Sequence, residues 1–136
     1  MTTADRPYFG QSDADATLPG AFVELAGQLS SAPTAIAYTA TPTFDCATSN
    51  HHVLGAMTAN VTAIDLSSAR AGAEYTIKVL QDGTGTWTTT GWAAKFVFGA
   101  LHSNVAALGA GMVTVWRFWA ESTTVVRCIA KETYTA

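Results

Sequence analysis

His51 and His52 stand side by side with Asp45 and Asn50 just upstream, and imidazole and carboxylate at such spacing first suggest a metal site. The short run around them reads as a strand, and neighbours on a strand project to opposite faces, so the two rings do not share one ion within a chain. No third or fourth ligand accompanies them, and the cluster is read as polar residues at the start of a strand, with no metal and no cofactor. His102, beside Ser103, is read as a solvated loop residue. None of the serines lies in a G-x-S-x-G elbow, so a Ser/His/Asp triad has no anchor. Asp45, Asp65, Asp82 and Glu121 fall at turns or strand ends and read as turn residues rather than paired acid/base carboxylates. Gly83-Thr84-Gly85 and Gly109-Ala110-Gly111 do not open helices, so neither resembles a phosphate loop. No catalytic residue is expected. The remaining chemistry is aromatic: Trp87 and Trp92 flank Thr88-Thr89-Thr90-Gly91 and offer a possible stacking platform for a sugar ring, against the commoner role of Trp in packing and subunit contact.

The elements that must position these side chains are strands. From Ala35 onward, Thr, Val and aromatic residues run in short segments broken by Gly, Asn, Asp and Ser, which predicts an all-β fold, an antiparallel β-sandwich of jelly-roll-like form. Strands are expected near 35–43, 52–57, 61–66, 75–81, 86–90, 95–98, 112–120 and 124–133. Asp82-Gly83 is expected to close a tight hairpin between 77–80 and 86–90. A second hairpin joins the last two strands across Glu121-Ser122-Thr123. Tyr75, Ile77 and Val79 alternate with Thr76 and Lys78, giving a strand with one wet side. The strand at 112–120 differs. It carries Met112, Trp116 and Phe118 on one face and Val113, Val115 and Trp119 on the other. A small sandwich buries one face of each strand, so Val113, Val115 and Trp119 call for either the arm or another subunit; oligomerisation, as a homotrimer, is expected.

Residues 1–34 read as an arm, with Pro7, Pro19 and Pro33, several Gly and Asp, and little alternation. Within it Phe22, Leu25, Ala26 and Leu29 fall at helical spacing after Pro19, so the segment is either one short helix or extended. Tyr8, Phe9, Phe22, Val23, Leu25 and Leu29 need a surface to lie on, and they are expected to fasten the β domain, residues 35–136, to a larger body. Size agrees: 136 residues with 49% hydrophobic content suffice for one core. Charged residues make up only 12%, about half the usual share, which suits a protein packed among neighbours. A net charge of −3 without a basic cluster argues against nucleic-acid binding. No stretch is apolar enough to span a membrane and the N-terminus lacks the apolar core of a signal peptide, so folding in the cytosol is expected. Cys46 and Cys128 have no disulfide-framework or zinc spacing and read as buried thiols, with their pairing left open.

Four segments in order resemble a β domain recurrent in tailed-bacteriophage virion proteins: Thr41-Pro42-Thr43-Phe44-Asp45, then Asn60 to Leu66, then Ala71 to Gly85 with Tyr75-Thr76-Ile77-Lys78-Val79 at its centre, then the aromatic hairpin from Val113 to Tyr134. The resemblance covers roughly residues 41–134. It implies a virion structural protein, found either at the end of appendage proteins or among head-decoration (cement) proteins. The final hairpin departs from the family, which usually turns on Asp-Gly where this chain has Ala120-Glu121-Ser122-Thr123. The arm is short, with no fibre shaft, and this shifts the implied role to decoration. The partner would be the major capsid protein and the location the capsid exterior, after assembly in the host cytoplasm. The alternative is a tail-fibre or spike domain that binds host-surface glycans through Trp87 and Trp92.

Overall fold

The computed structural model describes residues 32–136. The arm residues Tyr8, Phe9, Phe22, Val23, Leu25 and Leu29, and the short-helix alternative, lie outside the described residues. Eight strands follow in order: β1 (Thr34–Ile36), β2 (Thr43–Asp45), β3 (His51–Met57), β4 (Asp65–Ser67), β5 (Glu74–Gln81), β6 (Phe96–Val97), β7 (Met112–Ala120) and β8 (Val126–Thr135). No helix occurs among the described residues, so the all-β expectation holds there.

The antiparallel expectation does not hold. The larger sheet is a curled mixed sheet of six strands in the order β1-β3-β5-β7-β8-β6, and the smaller pairs β2 with β4. Ladders β1/β3, β3/β5 and β6/β8 are parallel, as is β2/β4; only β5/β7 and β7/β8 are antiparallel. Parallel neighbours need a crossover. Here the intervening strands belong to the smaller sheet: the chain passes from β1 to β2, back to β3, on to β4 and back to β5. The connections 37–42, 46–50, 58–64 and 68–73 thus each join a strand of one sheet to a strand of the other. Residues 88–93 run beside the segment before β4, with isolated parallel bridges Val61 to Thr89 and Ile64 to Trp92. Gly91 sits where a Cβ would lie 1.9 Å from the Thr62 carbonyl oxygen, so only glycine allows the two segments this close.

The Asp82-Gly83 hairpin is therefore overturned. Residues 86–90 do not pair with β5, whose neighbours are β3 and β7. Asp82 Oδ1 instead accepts hydrogen bonds from the Thr84 N–H (2.8 Å), the Thr84 hydroxyl (2.6 Å) and the Gly85 N–H (3.2 Å). The positive φ falls on Gly85, at 66°, not on Gly83. The side chain closes the turn locally and sends the chain out of the sheet. The final hairpin is present, with β7 and β8 joined through Glu121 and Ser122, whose N–H groups both donate to the Val125 carbonyl.

Alternation sets the two faces. Tyr75, Ile77 and Val79 of β5 are matched in register by Phe118, Trp116 and Thr114 of β7, all buried. Phe44 and Leu66 of the smaller sheet, with Ile64, belong to the same buried cluster. Burial of each such side chain is worth about 1.5–3 kcal/mol. An extra residue, Ile129, enters β8 between the pairs Phe118/Cys128 and Arg117/Ala130. This bulge keeps Cys128 and Lys131 on the inner face and leaves Ile129 37% exposed.

Candidate functional site

The two histidines part as strand geometry requires. His51 faces outward, its Nδ1 3.2 Å from the Thr76 hydroxyl. His52 turns into the core, 2% exposed, its ring centroid 5.3 Å from that of Phe44 and its Nε2 without a hydrogen-bond partner. Burial lowers the His52 pKa below its ordinary value. Among the described residues no group of three or more His, Cys, Asp and Glu side chains converges on a point where a metal would sit. Cys46 and Cys128 are both free and buried. Burial, reinforced by the Asp45 carboxylate, pushes the Cys46 thiol up to about 12, which leaves it protonated and unreactive.

Trp92 belongs to an aromatic cluster. Its ring lies 5.0 Å from Phe96, 4.8 Å from Phe98, 5.0 Å from Trp116 and 5.8 Å from Phe118. Its indole N–H donates to the Asn104 carbonyl at 2.9 Å. With these neighbours the Trp92 ring is half-buried and packed against the core. Trp87 is half-buried against the same core, and its indole N–H turns toward Asp82 without closing a well-formed hydrogen bond. The Thr84 hydroxyl, with help from Trp87 and the local N–H groups, holds the Asp82 carboxyl down at about 2.

Two surfaces stand out. The first is the segment 99–111, between β6 and β7. Its carbonyls are gripped by side chains from the core: Trp116 Nε1 donates to Ser103 O (2.9 Å), the Thr89 hydroxyl to Asn104 O (2.7 Å), Lys131 Nζ to Val105 O (2.7 Å) and Gln81 Nε2 to Ala107 O (3.0 Å). The N–H groups of Ala106 and Ala107 donate in turn to the hydroxyls of Thr89 and Thr114. Burial lowers the pKa of Lys131, whose Nζ also lies 5.8 Å from the centroid of the Trp116 ring. The loop so held leaves Leu101 90% exposed, Leu108 58% and Val105 41%. Apolar side chains fixed in water by a rigid backbone have already met the ordering cost of a contact. Nothing in the sequence pattern marked this loop, because its acceptors are backbone carbonyls and its donors are scattered from residue 81 to residue 131.

The second surface is the outer face of the six-strand sheet. Trp119 and Val115 lie there, as the alternation of β7 required, with Trp119 40% exposed and Val115 half-buried. Val113 departs from that expectation: although on the same side of β7, between Leu80 and Tyr134, it is 1% exposed and so is not available to a partner. Thr76, Val115, Arg117, Ala130 and Glu132 line a shallow open depression of about 300 Å³ in this face. Arg117 Nε is 3.8 Å from Glu74, and Arg127 is paired with Glu121. That contact holds the Glu121 carboxyl below its ordinary value. No family model, curated protein or solved structure matches the chain.

Proposed function

We propose that the chain is a structural protein of a tailed-bacteriophage particle, a capsid decoration protein that sits on the outer surface of the head. Its partner in this reading is the major capsid protein, its working form a homotrimer, and its place of assembly the host cytoplasm. We take the two sheets as the layers of a sandwich-like module and the N-terminal arm, which ends before β1 begins at Thr34, as the segment that fastens it. The observation that carries the reading is the loop at 99–111, where seven hydrogen bonds with the side chains of Gln81, Thr89, Trp92, Thr114, Trp116 and Lys131 fix a backbone whose Leu101, Val105 and Leu108 remain in water. A module built to be held against another protein has a use for such a surface. The order of segments that resembles phage virion domains names the kind of particle. The glycan-binding alternative has less support, since Trp92 is packed against its aromatic neighbours.

Mixing the full-length protein with undecorated capsids and sedimenting them tests the reading. Saturable pelleting is expected, weakened by Leu101→Ser with Leu108→Ser while the melting temperature stays unchanged. Protein that remains in the supernatant at every concentration overturns it.

A further inference from the structure

The charges on the outer face are sorted by strand. In register, β5 offers Glu74, Thr76 and Lys78; β7 offers Trp119, Arg117 and Val115 opposite them; β8 offers Arg127, Ala130 and Glu132 beyond. At the level of Val115 the β5 side carries Lys78 and the β8 side Glu132. At the level of Trp119 the signs reverse, with Glu74 on the β5 side and Arg127 on the β8 side. Among the described residues Lys78 and Glu132 take part in no ion pair. They stand two strand spacings apart, roughly 9.5 Å, with Val115 between them.

We propose that this face is the contact between copies of the chain in a homotrimer whose threefold axis runs along the strands, so that the β5 side of one copy meets the β8 side of the next. The inference rests on the trimer reading above and supplies its surface and register. Rotation about an axis parallel to the strands leaves height along them unchanged. Lys78 therefore meets Glu132 of the next copy at each of three identical contacts, while Glu74 and Arg127 keep their partners Arg117 and Glu121 within the chain. Such a contact joins two different patches and closes into a ring. Val115 and Trp119, on the central strand, converge toward the axis and leave water. Arg117 converges as well; Glu74, 3.8 Å away, offsets part of its charge, and this is the main cost of the arrangement.

Sedimentation equilibrium on the full-length protein and on charge-reversed variants tests this. The wild type is expected at three times the 14.2 kDa monomer mass. Lys78→Glu and Glu132→Lys, each alone, place like charges at all three contacts and should raise the dissociation concentration on the order of tenfold or more. The double variant should return it to the wild-type value. Circular dichroism melts confirm that each variant is folded, as expected for positions outside the core. A wild-type monomer or dimer, single variants that assemble normally, or a double variant that is not rescued would each overturn the inference. A trimer with this rescue that ignores capsids sinks the decoration reading alone; a capsid-binding monomer sinks this inference alone.

Discussion

Gln81 is the most consequential polar side chain in the core, and replacing it with Leu tests the argument that the loop at 99–111 is held from within. The residue is 2% exposed; its Nε2 donates to Trp87 O (2.6 Å) and Ala107 O (3.0 Å), and its Oε1 accepts from Trp87 N (3.2 Å). Leu has nearly the same volume, so the loss is one of hydrogen bonding rather than of packing. Three backbone groups lose their partner at about 1–3 kcal/mol each, and because the loop lies near the surface water recovers part of this, so about 3–5 kcal/mol is expected. That is a large fraction of the roughly 5–15 kcal/mol typical of a domain. Thr114→Val, which removes only the acceptor of Ala107 N, should cost about 1–2 kcal/mol. Urea denaturation followed by tryptophan fluorescence gives both values, and amide exchange should show residues 103–109 losing protection in Gln81→Leu first. A loss below about 1 kcal/mol with unchanged exchange would mean that the loop does not depend on this side chain, and the reasoning would fail.

Other expectations follow from single sites. His52 titrates below its ordinary value because burial disfavours its charged form, so the unfolded chain binds the proton more readily. Stability should be full above about pH 6.5 and fall as pH drops below it, a slope that His52→Phe removes in pH-dependent melts. Gly85 has φ of 66° and an added Cβ would lie 2.1 Å from the Ala110 nitrogen, so Gly85→Ala should cost at least about 2 kcal/mol in urea denaturation. Trp92→Ala removes the centre of the aromatic cluster and should cost about 3–5 kcal/mol by the same assay, while host-glycan binding on an array stays absent in wild type and variant alike. Deleting residues 1–31 should leave a β domain that melts cooperatively by circular dichroism but no longer pellets with capsids.

The strands most legible in the sequence are those where one face alone is apolar or where both are rich. The alternation of Tyr75, Ile77 and Val79 placed β5, and the run from Met112 to Ala120 placed β7, because a period of two records burial directly. Which strands become neighbours left no such record. Parallel order arises because successive strands alternate between the two sheets, and the residues at 37–42 or 58–64 look locally like any other turn. Asp82-Gly83 misled for a related reason: the pair suits a hairpin, but Thr84 and Gly85 satisfy the Asp82 carboxylate within the turn and no partner strand follows. On the candidate surfaces, alternation found Val115 and Trp119 but could not tell that Val113, two residues along, is covered. Trp92 was ambiguous because its four aromatic neighbours are brought to it only by the fold. The charged rows of Lys78 and Glu132 became visible only with the register of β5, β7 and β8.

The central claim is a place on a particle, and direct imaging tests it best. Cryo-electron microscopy of virions carrying the protein with a C-terminal tag, decorated by a tag-specific Fab, would locate it. The account predicts Fab density on the outer surface of the head, clustered in threes at repeated positions of the shell. Density confined to the tail tip, or particles that carry no tagged protein, would contradict it.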